Sequence, residues 1–165
     1  MRLREWIAAF RWLHEKARRG ALAGDEVSAY HEAREDLAHM LLAAQRLTLM
    51  PGETAREALR VVRLLPLELG LQAGPARSET LDISTGGFSS LLDRAPAPAE
   101  QVNFVLRLGS GPLHGRALIA NILQQGSVFR VSFKLEGASA QDAERLGTEV
   151  MDAALEQLAN LVEHA

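Results

Sequence analysis

The chain has no cysteine, which excludes disulfides and thiolate metal sites and fits a reducing compartment. Aromatic residues are scarce, with one tyrosine, two tryptophans and five phenylalanines in 165 residues. That leaves a sheet without an evident stacking platform for single-stranded nucleic acid. No apolar stretch approaches the roughly 20 residues of a membrane-spanning helix. The opening Met-Arg-Leu-Arg-Glu-Trp-Ile has charges among its apolar residues and no small-residue cleavage site, unlike a signal peptide. A net charge of −3 creates no basic field for long nucleic acids. Together these absences predict a cytoplasmic protein without membrane or long-nucleic-acid partners.

What is present is an ordinary globular balance, 47% hydrophobic and 24% charged, in a chain long enough for one domain with appendages. Leu3, Trp6, Phe10, Leu13 and Ala17 recur every three or four residues and predict a helix that stops at Gly20, with Trp12 off its stripe. Asp25 is the expected N-cap of a second helix running to about Leu47, with Val27, Tyr30, Arg34, Leu37, Leu41, Ala44 and Thr48 along one face. This predicts an αα-hairpin over residues 1–50. A hairpin alone buries little, so its remaining apolar surface must dock on the main domain or on another subunit, and of the two a homo-oligomer joined through helical segments is expected.

Met50-Pro51-Gly52 breaks the pattern and opens an arginine-bearing linker over 51–63. Over 64–138 the period becomes two. Leu65, Leu67, Leu69 and Leu71 alternate with turn or polar residues, as do Val102 to Leu108 and Phe129 to Leu135. Leu118 to Leu123 is continuously apolar and reads as a more buried strand. Turns are expected at Gly74-Pro75, Gly109 to Pro112 and Gln125-Gly126. Short strands at this spacing predict a small, mostly antiparallel barrel or sandwich. Ser139 and Asp142 then open a C-terminal helix over 139–165, striped by Leu146, Val150, Ala154, Leu158 and Leu161. The fold class is α+β.

His31, Glu35 and His39 share one helix face, but they lack the His-Glu-x-x-His pattern and read as a solvated surface. Ser84 and the Ser89-Ser90 pair lack a Gly-x-Ser-x-Gly elbow, and Gly86-Gly87 is too short for a phosphate-cradling loop. The expectation is a non-enzyme with no metal and no cofactor. Two signatures remain: Arg56-Glu-Ala-Leu-Arg60, and Asp82-Ile-Ser84-Thr-Gly86-Gly87 at the end of an apolar run, read as a polar turn. Paired guanidinium groups bind phosphate oxygens and guanine O6 and N7. Asp82 can accept from guanine's donor edge, and Ser84 can bond a phosphate or the turn backbone. Gly86 and Gly87 allow positive φ and close backbone approach. A phosphate-and-guanine ligand is the chemistry these groups suit.

In this order and separation the two signatures resemble the PilZ family, marked by Arg-x-x-x-Arg and then Asp/Asn-x-Ser-x-x-Gly, here Arg56, Arg60, Asp82, Ser84 and Gly87. The resemblance spans about Arg56 to Leu135 and leaves out the N-terminal hairpin. It implies a six-stranded antiparallel β-barrel that binds the bacterial second messenger cyclic di-GMP. It also implies a receptor or adaptor whose linker rearranges on binding and signals to a protein effector. Two residues depart from the pattern. Arg130-Val-Ser-Phe133 stands where the family often has Gly-Val-x-Phe, and Ala55 precedes the first arginine where many members have another arginine. Two alternatives stand beside this reading: a PilZ-like interaction or oligomerisation scaffold that binds no nucleotide, and, more distantly, a barrel for single-stranded nucleic acid with steep salt dependence.

Overall fold

A computed structural model describes the backbone of residues 2–47 and 58–163, and side chains as far as residue 160. The chain divides into two compact units, one formed by residues 1–59 and 154–165 and the other by residues 60–153.

In the first unit, α1 (Leu3–Arg18) and α2 (Gly24–Leu47) form the hairpin. The buried residues of α1 are Ile7, Phe10 and His14, so its inner stripe is rotated from the predicted one and Leu3 is exposed. Phe10 stacks on Tyr30 at 5.8 Å, and His14 Nδ1 lies 2.8 Å from the Tyr30 hydroxyl. An aromatic seam with a buried polar pair, Phe10 and His14 against Tyr30, joins the helices. Asp25 is not the N-cap. The helix begins at Gly24, and Glu26 reaches back from its first turn to accept the Ala23 N–H at 2.9 Å.

The second unit is a closed six-stranded antiparallel barrel with one short strand outside the ring. The outside strand is β1 (Val61–Val62), which lies inside the expected linker and pairs with β3 (Gly74–Ser84). The ring runs through β2 (Pro66–Leu71), β3 (Gly74–Ser84), β4 (Gly87–Leu92), β7 (Val128–Glu136), β6 (Gly111–Gln125) and β5 (Gln101–Leu108) back to β2. Alternation drives the closure: Leu67, Leu69, Val102, Phe104, Leu106, Val131 and Phe133 are all buried, with their neighbours facing outward. Phe88 meets Phe104 and Phe133 at 5.1 and 5.0 Å to form the centre of the core. Each such ring contributes roughly 1.5–3 kcal/mol of burial.

Several predicted boundaries shift. Gly74-Pro75 opens β3 rather than forming a turn, and Gly111 and Pro112 open β6. Asp82-Ile-Ser84 completes β3, so the polar turn contracts to Thr85-Gly86. The run Leu118–Leu123 is not the more buried strand, because Leu123 is 52% exposed.

The barrel carries the first part of α3 (Ala140–Glu163). Ser139 Oγ accepts the Asp142 N–H at 3.1 Å, the cap that the sequence predicts. One helical turn separates Arg145 from Glu149, and both hold the β5–β6 turn. Arg145 donates to the Gly111 carbonyl at 2.9 Å, and Glu149 accepts the Gly109 N–H at 3.0 Å. Leu146 and Val150 are buried alongside them.

Candidate functional site

The site is built by two register shifts. On β3, Ala76, Ser78 and Thr80 face inward with Leu67 and Leu69, and plain alternation would send Asp82 inward as well. Thr80 pairs with Ser90 and Asp82 with Ser89, so Leu81 is an extra residue. The bulge turns Asp82 to the outer face and Ile83 to the core, where it is 0% exposed. A second shift on β6, between Ile119 and Asn121, turns Asn121 outward in the same way. One polar row then crosses the outside of the barrel through Asp82, Ser89, Ser132 and Asn121. Exposed Val62 of β1 stands beside Asp82 at the end of the row.

Asp82 is 6% exposed despite its outward direction, because basic side chains and a serine cover it. Its Oδ1 accepts from Arg60 Nη1 at 3.0 Å and from Ser89 Oγ at 2.7 Å. Its Oδ2 accepts from Arg130 Nη2 at 2.8 Å. The result is a carboxylate clamped between two guanidinium groups, one entering just before β1 and one rising from β7. Such charge-assisted bonds are roughly twice as strong as neutral ones, and the fixed carboxylate orients both cations.

Ser84 bonds the turn backbone. Its hydroxyl accepts the Gly86 N–H at 3.2 Å and donates to the Gly87 carbonyl at 3.4 Å. Neither Gly86 nor Gly87 adopts a positive φ. Gly87 is needed for space: a Cβ there would lie 2.0 Å from the Phe133 carbonyl oxygen.

The structure thus brings together Arg60 and Asp82, with Ser84, Gly86 and Gly87 in the adjoining hairpin turn. Arg56 lies outside the described residues, as do the Pro51-Gly52 break and Thr48. Sequence reasoning missed the part played by Ser89, because the Ser89-Ser90 pair was judged only as a nucleophile. The signal was the hairpin itself, whose short turn sets Ser89 across from Asp82. Leu91 and Leu123 were also missed; both are exposed, and they flank Arg130 across β4, β7 and β6.

No protein-family model and no curated protein sequence matches the chain. Among solved structures it is similar to YcgR of Escherichia coli in complex with c-di-GMP, with a TM-score of 0.59 at 18% identity, covering 67% of this chain and 50% of that one. The inhibitor of motility MotI/DgrA of Bacillus subtilis gives 0.56 at 16% identity, covering 63% and 53%. The isolated PilZ domain of the E. coli YcgR with c-di-GMP gives 0.55 at 18% identity, covering 66% of this chain and 98% of the domain. The chain therefore matches about half the length of the two larger proteins and nearly all of the isolated domain. The barrel has the PilZ fold, and at these identities the likeness is one of fold.

Proposed function

We propose that this chain is a non-enzymatic receptor for cyclic di-GMP, held by Arg56, Arg60, Asp82, Ser84, Gly86 and Gly87. One observation carries the reading: on a PilZ-fold barrel, the Arg60 guanidinium is fixed by Asp82 on the outer face, beside the Ser84–Gly87 turn. A cyclic dinucleotide offers two phosphodiester anions and two guanine edges, the acceptors that guanidinium forks suit. YcgR, a structural neighbour, has c-di-GMP bound. Ligand engaged by Arg56 and Arg60 reorders the segment 51–63 and changes how the flanking parts of the chain are arranged. That rearrangement is the signal to a protein effector, read in the cytoplasm. The experiment is calorimetric titration of the full chain with cyclic di-GMP. Saturable heat is expected, and it disappears in Arg60→Ala and in Arg56→Ala. No heat and no thermal shift for the unsubstituted protein would overturn the reading.

The hairpin serves self-association in this account. Trp12, Met40 and Leu47 are 58%, 52% and 88% exposed, apolar surface that a second copy would cover. Sedimentation of the full chain over a range of concentrations should give a mass above the monomer, and a constant monomer mass would refute it.

A further inference from the structure

Arg130 occupies the centre of a cross-strand row, with Leu91 on one side and Leu123 on the other. Both leucines are open to solvent, 37% and 52% exposed, on the outer face of β4 and β6. The next row holds Asp82, Ser89, Ser132 and Asn121. A guanidinium has five N–H donors in a rigid plane. Among the described residues Arg130 gives one to Asp82 and makes no other hydrogen bond, while 37% of its side chain remains exposed.

This is more than Asp82 requires. Oδ1 already receives bonds from Arg60 and Ser89. What the arrangement adds is an oriented fork: one edge is anchored on a carboxylate, the other donors are open, and apolar rims stand on both sides. A phosphate gains nothing from apolar rims. A flat base does, because its faces are apolar and its edge is polar. Guanine presents O6 and N7 as adjacent acceptors that match a guanidinium fork, whereas adenine places an amino donor where O6 would be.

We propose that Arg130 is a base-reading residue of the site, held in place by Asp82 and seated between Leu91 and Leu123 to take the O6/N7 edge of a guanine. The inference rests on the reading of the barrel as a cyclic di-GMP receptor and names a specificity residue for it. Asp82, besides its place in the site, then positions two arginines.

The test is calorimetry on the full chain with cyclic di-GMP and with cyclic di-AMP. It compares the unsubstituted protein, Arg130→Ala, Arg130→Lys and Arg60→Ala, with the melting temperature of each as a check on folding. Arg130→Ala should bind cyclic di-GMP about ten- to a hundredfold more weakly, the worth of one bidentate base contact. Its preference over cyclic di-AMP should narrow by a similar factor. Arg130→Lys keeps the charge beside Asp82 and loses the fork, so it should fold normally and recover only part of the affinity. Arg130→Ala or Arg130→Lys binding as tightly as the unsubstituted protein, while Arg60→Ala does not bind, would overturn this inference and leave the receptor reading standing. An equal loss for both nucleotides would likewise overturn base reading. Absence of binding by the unsubstituted protein would remove the receptor reading, and this inference with it.

Discussion

Replacing Gly87 with alanine puts a methyl group where the structure has no room for one. The added Cβ would lie 2.0 Å from the Phe133 carbonyl oxygen, 3.1 Å from the Phe133 carbonyl carbon and 3.4 Å from the Lys134 Cα. Carbon and oxygen need more than 3 Å, so the strands must separate by over ~1 Å at this point. No side chain can rotate to relieve the contact, because every obstacle belongs to the backbone of β7, paired with β4 from Gly87–Lys134 to Leu92–Phe129. Overpacking costs typically 1–3 kcal/mol, and a backbone obstacle places this case at the upper end, about 3 kcal/mol. At ~2–4 °C per kcal/mol for a chain of this size, the melting temperature should fall by about 6–12 °C. Gly86→Ala is the internal control. Its Cβ would meet nothing nearer than the Ser84 hydroxyl at 4.0 Å, and its φ lies outside the left-handed region. Gly86→Ala should melt within about 2 °C of the unsubstituted protein, or slightly above it. Thermal unfolding followed by circular dichroism separates the two. Equal losses from both glycine variants, or none from Gly87→Ala, would refute the close-approach argument.

Three further outcomes follow from the same geometry. Ser139→Ala removes the acceptor for the Asp142 N–H and should cost about 1 kcal/mol in a denaturant titration, with Ser139→Asp close to neutral. Glu149→Ala removes a side chain that is 5% exposed, accepts the Gly109 N–H and lies 3.7 Å from Arg63. It should cost about 3 kcal/mol, whereas Glu149→Gln keeps an acceptor for Gly109 and loses less. At Glu26, the bond from the Lys16 ammonium and then the Ala23 N–H hold the carboxyl below its ordinary value of 4.5. Its folded pKa is below its unfolded pKa, so the stabilisation is present above the ordinary value and is lost as pH falls through the folded one. Glu26→Gln should therefore be less stable than the unsubstituted protein near neutral pH, and the difference should vanish in acid. A difference that persists in acid would assign the effect to something other than the carboxylate charge.

The sequence makes the barrel legible wherever a strand obeys strict alternation. Val102 to Leu108 read correctly because one face is apolar and the other polar, and that is how they are buried; in Phe129 to Leu135 the same alternation holds at its centre, where Val131 and Phe133 are buried. It is silent on β4, whose Phe-Ser-Ser-Leu run has two small polar residues that are buried by hydrogen bonds rather than hydrophobicity. Ser89 bonds Asp82, and Ser90 donates to the Glu79 carbonyl at 2.7 Å. The first half of β3, Gly-Pro-Ala-Arg-Ser-Glu, is equally hard to see, because its strand character comes from pairing with β2 rather than from its own propensity. In the site, the chemistry of Arg60, Asp82 and Ser84 is legible from residue types and spacing. The Arg130 contact is not, because 48 residues separate it from Asp82 and only barrel closure brings them together.

The two bulges explain why the site and the core can be specified separately. Each adds one residue to a strand, Leu81 on β3 and Ala120 on β6, and each reverses the facing of everything beyond it. Before the shifts, Thr80 and Ile119 face inward; after them, Asp82 and Asn121 face outward in one row, and Ile83 and Ile122 take the inward places. Without the shift on β3, the carboxylate would sit in the Phe88–Phe104–Phe133 core, where a buried charge without its arginines costs several kcal/mol. With it, Asp82, Ser89 and Arg130 share a face to which no core side chain contributes. Substitutions of Arg60 and Arg130 therefore change the outer face and leave Ile83, Phe88, Val131 and Phe133 packed as they are. This separation lets a loss of binding in those variants be read as loss of a contact once an unchanged melting temperature shows that unpairing Asp82 has not cost the fold.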